Sequence, residues 1–385
     1  MQPNYIPFNC VPYFGDEPEI LREALRSGRL GGDGLFMQRV QGYFLNLFRC
    51  ELALMTASCT AALEMCALLL DIALGDEVIM PSYTFSSTAN AFVLRGARIK
   101  FVDIRPDTMN IDETKIEAAI TDKTKVIVVV HYAGVACEME TILRVAELHG
   151  IPVVEDAAQG LQSSYQGEPL GTFGSLSTFS FHESKNITSG GEGGLLVINE
   201  KSHTNRAEII RDKGTDRGRF NRGEVDQYTW VDLGSSFLSG ELQAAHLWSQ
   251  LNRSKEIYAQ RMRIWDAYRE QLSELELSNQ IELPKIPINC RHNAHMFQIK
   301  CCDVEERRNL MAHLRKKGIE TAFHYVPLHN SVAGIKFGDF VGEDRYTTSH
   351  SNRLLRLPLY FDLRLEEVSQ ITQEIKDWYL VSEAA

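Results

Sequence analysis

The chain has 385 residues, 44% of them hydrophobic and 24% charged, a balance that fits a globular protein with a large core. Its formal net charge of −11 excludes broad binding to nucleic acid, which needs a basic face. It leaves room for a local cationic cluster around an anionic small molecule.

The opening run, Met1-Gln-Pro-Asn-Tyr-Ile-Pro-Phe8, has no basic segment followed by an apolar stretch. No secretory signal is expected, and the predicted location is cytoplasmic. The apolar stretches near 61–73 and 125–134 are too short or interrupted to span a bilayer. Eight cysteines are scattered without a C-x-x-C pair or a metal-like spacing to histidine, which predicts reduced thiols and no metal site.

From about residue 50 the hydrophobic period alternates between strand and helix. Residues 53–56 read as a strand and 60–70 as a helix rich in Ala, Leu and Met. Residues 77–80 are a strand, 87–94 a helix, 99–103 a strand and 113–120 a helix. The run 126–131 is apolar throughout, as in a strand buried on both faces. A helix at 138–149 and an apolar strand at 152–155 follow. This order predicts an α/β protein with a mostly parallel sheet between helices.

After about 235 the pattern changes. Apolar residues three or four apart over 241–275 predict one long helix or a bent pair. A proline-bearing linker at 282–287 leads to a strand at 294–301, a helix at 305–317, a strand at 319–325 and a helix at 365–379. The predicted division is a large domain, 1–240, including the N-terminal segment, and a linking helix with a smaller C-terminal α+β domain, 241–385.

Ligands of open parallel sheets bind beyond the carboxyl ends of the strands. Four features fall there. Thr56-Ala-Ser-Cys-Thr-Ala61 is a small-residue turn opening a helix, suited to a phosphate or to simple capping by Ser58 or Thr60. Phe85 follows the next strand, as a cover for a planar ring or as a core residue. Asp156, with Gln159 close by, ends an apolar strand, where a carboxylate is costly unless paired. Ser180 and Lys185 precede the turn Gly190-Gly-Glu-Gly-Gly194. Together they supply a phosphate cradle, a ring stacker, an acid for a ring nitrogen and an amine able to form a Schiff base. Pyridoxal phosphate (PLP) requires those parts.

The chain resembles the DegT-type sugar aminotransferases of the aspartate-aminotransferase fold (PLP fold type I) over essentially its whole length. The resemblance rests on Ser58-Cys-Thr-Ala61, Gly75-Asp-Glu-Val-Ile-Met-Pro-Ser-Tyr-Thr-Phe85, Glu155-Asp-Ala-Ala-Gln159, Ser180-Phe-His-Glu-Ser-Lys185, Gly190-Gly-Glu-Gly-Gly194 and Leu357-Pro-Leu-Tyr360. It implies that Lys185 is the catalytic lysine and cofactor anchor, and that Asp156 pairs with the ring nitrogen. It further implies that Gln159 lies near the ring hydroxyl, that Phe85 stacks on the ring, and that Ser180, Thr60 and Ala61 hold the phosphate. The family's phosphate site is completed by an asparagine from a second subunit. Ser236, in Gly234-Ser-Ser-Phe-Leu238, takes that position here, and a homodimer is expected. Candidate substrate contacts are Arg29, His182, Arg219, Arg222, His324, Tyr325 and His329.

The runs Phe8-Asn9, Met109-Asn-Ile-Asp112, His131-Tyr-Ala-Gly-Val-Ala-Cys137 and Asn293-Ala-His-Met-Phe297 narrow the resemblance. They imply transfer from L-glutamate to C4 of dTDP-4-keto-6-deoxyglucose, giving dTDP-4-amino-4,6-dideoxygalactose, a precursor of enterobacterial common antigen. The alternatives are amino transfer at C3, a gluco product, a UDP-sugar substrate, or a PLP-binding regulator without turnover. A deoxygenating dehydratase, in which histidine replaces the lysine, is opposed by Lys185.

Overall fold

A computed structural model describes residues 5–383. Eight strands form one sheet in the order Leu52–Thr56, Gly194–Ile198, Leu176–Ser180, Val153–Asp156, Thr124–Val130, Glu77–Pro81, Arg98–Val102 and Gly338–Phe340. All pairings are parallel except the two made by Gly194–Ile198, which runs against its neighbours. The expected α/β architecture, a mostly parallel sheet between helices, is the one observed.

Strand periodicity explains the layers, because successive side chains face opposite sides of a sheet. Val126, Val128 and Val154 pack with the helices Cys59–Leu69 and Ser86–Val93 on one face. Ile127, Val129 and Val153 pack with the helix Met139–His149 on the other. That helix ends at Gly150, whose φ of 64° is the left-handed cap that glycine adopts without strain. Farther along the sheet, Met55, Phe179, Leu195 and Val197 meet the helices Glu17–Arg26, Leu35–Phe48 and Glu241–Asn252.

A second core lies under the antiparallel pair Phe297–Lys300 and Leu354–Leu357, with the helices Ser254–Leu277, Val304–Lys316 and Leu365–Glu383 around it. Not all of the C-terminal part packs there. The strand Gly338–Phe340 joins the edge of the large sheet, parallel to Arg98–Val102. No described helix is long and apolar enough to cross a membrane.

Three expectations need correction. The long helix is a pair, Glu241–Asn252 and Ser254–Leu277, broken at Arg253 (φ −101°, ψ 7°). The helix at 113–120 is a 3-10 turn, Glu113–Lys115, running into one helical turn, Ile116–Ala119. The strand at 319–325 does not form. Ile319 bridges Ile6 and Ala322 bridges Arg356, each singly, and the chain then leaves the sheet to carry His324 and Tyr325 into a cleft.

The last glycine of the run at 190–194 has a steric cause. A Cβ on Gly194 would stand 2.3 Å from the Ser58 carbonyl carbon and 2.4 Å from the Cys59 nitrogen, both backbone atoms. The reversed strand thus lies directly against the turn that opens the helix Cys59–Leu69. Gly194→Ala is expected to cost about 2–3 kcal/mol in a denaturant titration. Gly42→Ala, in a helix where a Cβ meets nothing within 4 Å, should be neutral or stabilising.

Candidate active site

The carboxyl ends of the parallel strands open into a cavity of about 460 Å³, closed from the other side by His295, His324, Tyr325 and Arg356. Asp156 is the last residue of its strand and pairs in register with Val130 and Thr178. It shares a sheet face with Val154, and so looks toward the helix Ser86–Val93. There its Oδ2 accepts a 2.7 Å hydrogen bond from Thr88 Oγ1, and its Oδ1 accepts one from the Ala158 N–H at 3.1 Å. Burial pushes the Asp156 carboxyl up, against the opposing pull of Thr88, Ala158 and Lys185.

The preceding carboxylate faces the other way and does different work. Glu155 is fully buried and accepts from His131 Nε2, the Gly171, Phe173 and Gly174 N–H groups and Ser177 Oγ. Burial pushes it up, but the His131, Gly174 and Gly171 hydrogen bonds more than offset that and hold it below the ordinary carboxylate range. Glu155 fastens the strand; Asp156 is left for the cavity.

Lys185 sits in a turn closed by its own N–H on the His182 carbonyl. Its Nζ has no hydrogen-bond or ion-pair partner among the described residues. Burial lowers the amine from the usual lysine value, while Cys59, Asp156 and Glu192 pull it back up and Arg356 lowers it further. A desolvated, unpaired amine near a buried carboxylate is poised for nucleophilic and proton-transfer chemistry.

At the helix opening, the capping alternative is what forms. Ser58 Oγ accepts from the Ala61 N–H, so that donor is already used. Thr60 Oγ1 donates to Ser87 Oγ, and the Cys59 and Thr60 N–H groups have no acceptor within the helix. Ser58, Thr60, Ser87 and Ser180 all line the cavity, and Ala61 does not. This hydroxyl-rich helix start suits an anion.

Phe85 is not a core residue. It is 60% exposed at the cavity and lies 6.2 Å from the Tyr325 ring. Gln159 is fixed, its Oε1 accepting from the Ala133 N–H and its Nε2 donating to Tyr325 Oη. Two imidazoles line the same space. The Tyr83 hydroxyl meets the His324 carbonyl and the Tyr132 hydroxyl, and Tyr132 Oη lies 3.1 Å from His324 Nδ1. Asn186 Nδ2 donates to the Asn293 carbonyl, so Asn186 Oδ1 must accept from His295 Nδ1–H, and His295 presents a bare Nε2. Burial drives both rings well below the usual histidine value.

Several expected contacts lie elsewhere in this chain. Arg29 is exposed and away from the cavity. Arg219 and Arg222 are exposed and engaged by Glu224, and Arg222 also by Glu208. His329 is a tie between elements: its Nδ1 meets Ser82 Oγ at 2.6 Å and its Nε2 meets Asp344 at 3.0 Å. Ser236 is exposed, bridged to Asp212, and outside the cavity of its own chain. His182 does line the cavity, with Nδ1 held by Ser184 and Nε2 3.7 Å from Glu192.

Sequence reasoning missed Thr88, His295 and Arg356. Arg356 is the most telling: it lines the cavity, has no carboxylate partner among the described residues, and its buried Nε has no hydrogen bond. Only its position one residue before Leu357-Pro-Leu-Tyr360 hinted at it.

A family model described as the DegT/DnrJ/EryC1/StrS aminotransferase family matches residues 15–376. The chain is 30% identical to the spore coat polysaccharide biosynthesis protein SpsC of Bacillus subtilis, over 97% of each. Among solved structures, DesV of S. venezuelae matches with a TM-score of 0.88 at 26% identity, over 98% of this chain and 99% of that one. The putative sugar aminotransferase Spr1654 of Streptococcus pneumoniae, in its PMP form, gives 0.88 at 26%, over 97% and 98%, and its PLP form matches as well. The architecture is PLP fold type I, and the cofactor is pyridoxal phosphate. The cavity fits that group on its own terms, with an unpaired amine, a buried acid, an exposed aromatic face and an anion-ready helix start.

Asp156 gives a pH test. A carboxyl raised in the folded state stabilises the fold fully only below its unfolded pKa, and that contribution is lost as pH rises through the folded pKa. The stability of apo Asp156→Asn relative to the parent should therefore rise between about pH 4 and pH 7, while its PLP affinity falls. Denaturant titrations at both pH values check the sign, and a relative loss of stability at pH 7 contradicts it.

Proposed function

The chain belongs to the DegT/DnrJ/EryC1/StrS aminotransferase family, and we propose that it moves an amino group from L-glutamate to a nucleotide-linked ketosugar. The observation that carries this is the unpaired Lys185 amine sharing one cavity with buried Asp156 and with Arg356, which has no carboxylate partner among the described residues. The names of SpsC and Spr1654, for polysaccharide biosynthesis and sugar amination, support a sugar acceptor. The finer reading is transfer to C4 of dTDP-4-keto-6-deoxyglucose, giving dTDP-4-amino-4,6-dideoxygalactose for a surface polysaccharide, in the cytoplasm. It rests on Phe8-Asn9, Met109-Asn-Ile-Asp112 and the runs beginning at His131 and Asn293.

When bound, pyridoxal phosphate supplies an aldehyde that exchanges amino groups and a ring that draws electrons from the reacting carbon. Lys185 would hold that aldehyde carbon. Displaced by the donor, its amine takes the proton from the donor Cα, and burial favours this by leaving more of the amine unprotonated. Asp156 would keep the ring nitrogen protonated, with Thr88 fixing the carboxylate. Phe85 would cover one ring face, and Gln159 would stand near the ring hydroxyl. Ser180, Thr60 and Ala61 would hold the phosphate, the Ala61 N–H exchanging its bond to Ser58, with Ser236 reaching in from a second copy. Arg356 would receive carboxylate or sugar oxygens, since a half-buried guanidinium without a carboxylate partner, its Nε buried and without a hydrogen bond, favours an anion.

Domain division at 240/241 follows the same reading: the cofactor held by 1–240, the cavity closed by the Arg356 and His324 side of 241–385. The test is incubation with L-glutamate and dTDP-4-keto-6-deoxyglucose, with NMR of the product. An axial amine at C4 is expected. An equatorial amine, or one at C3, rejects the galacto assignment. Absence of transfer to any nucleotide ketosugar rejects the reaction class and favours a PLP-binding regulator.

A further inference from the structure

Segment 6–12 is a strap fastened on both sides of the cavity. Ile6 is buried in the second core. Its N–H donates to the Gly318 carbonyl at 2.9 Å, and its carbonyl accepts from the Glu320 N–H at 3.0 Å. The Phe8 N–H donates to the Glu320 carboxylate at 3.3 Å. One residue on, Asn9 Nδ2 donates to the Glu183 carbonyl at 3.2 Å, in the turn that carries Lys185. The Pro12 carbonyl then accepts from Gln250 Nε2 of the helix Glu241–Asn252, which packs on the large sheet. Between these ties lies Phe8, and Arg356 Cζ stands over its ring, 4.8 Å from the centre.

A guanidinium is planar, so a ring against one face leaves its edge N–H donors available for a carboxylate. Arg356 lines the cavity, has no carboxylate partner among the described residues, and its buried Nε has no hydrogen bond. It also acts on Lys185, lowering that amine. Its backbone is fixed by hydrogen bonds exchanged with Ala322, but a long side chain needs its own hold. We propose that Phe8 is a positioning residue: it holds the Arg356 guanidinium by one face, so that the edge donors meet a carboxylate of the amino-acid donor. That role rests on Arg356 receiving an anion, as proposed above. Without the ring, the guanidinium must be ordered when the donor binds, which costs affinity. Phe8 holds Arg356 and Asn9 holds the Lys185 turn, so adjacent residues of one strap register the carboxylate site against the reacting amine.

The test needs no turnover. Glutarate has the two carboxylates of glutamate and no amino group, so its binding to the PLP-loaded protein is read at equilibrium by calorimetry. Phe8 is half-buried, and Phe8→Leu keeps an apolar side chain while removing the ring. This variant should weaken glutarate binding about three- to tenfold, the scale of ordering one long side chain. Phe8→Tyr, which keeps the ring, should bind within about twofold of the parent. Arg356→Gln should weaken binding, and adding Phe8→Leu to it should cost nothing further. A Phe8→Leu loss that persists in the Arg356→Gln background, or equal losses in Phe8→Leu and Phe8→Tyr, overturns the proposal. Unchanged binding in Phe8→Leu beside weakened binding in Arg356→Gln overturns the positioning role and leaves Arg356 as the receptor. Unchanged binding in Arg356→Gln, or no binding of glutarate by the parent, removes the receptor and the positioning role together.

Discussion

The structure turns on one constraint: a lysine amine and a carboxylate are drawn out of bulk water into the same cavity at the carboxyl ends of a parallel sheet. Burial works against both charges, lowering Lys185 and raising Asp156, and each charge steadies the other across the space. In the protein alone this is a cost. It becomes useful when a bound group takes up the amine and gives the acid a cationic partner.

The surrounding fold serves that constraint. Glu155, one residue from Asp156 and on the opposite face, ties the strand to His131 and to the turn at 171–174. The single reversed strand brings Gly194 against Ser58 and Cys59 and so sets the helix start beside Ser180. The second core sends His295, His324, Tyr325 and Arg356 across the opening. Of the two imidazoles in that wall, His295 is fixed by Asn186 with Nδ1–H donating and Nε2 unprotonated.

Much of this was legible in the sequence where information is local. The apolar run 126–131 and the strand ending in Asp156 announced themselves, since a carboxylate closing a buried strand demands a reason. Lys185 before a glycine turn was ambiguous alone and gained meaning from Asp156, Ser180 and Phe85. Thr88, His295 and Arg356 were not legible, because each acts through contacts with residues tens to hundreds of positions away. The expected strand at 319–325 failed for a related reason: its pairing is limited to single bridges before the chain turns into the cavity. His329 looked like a site histidine in the sequence and is instead spent on Ser82 and Asp344.

The most direct test of the central claim is borohydride reduction of the PLP-loaded protein followed by peptide mapping. The account predicts a single pyridoxyl adduct on Lys185, and none in folded Lys185→Ala. An adduct on another lysine in the parent, or near-normal amino transfer by Lys185→Ala, would contradict it.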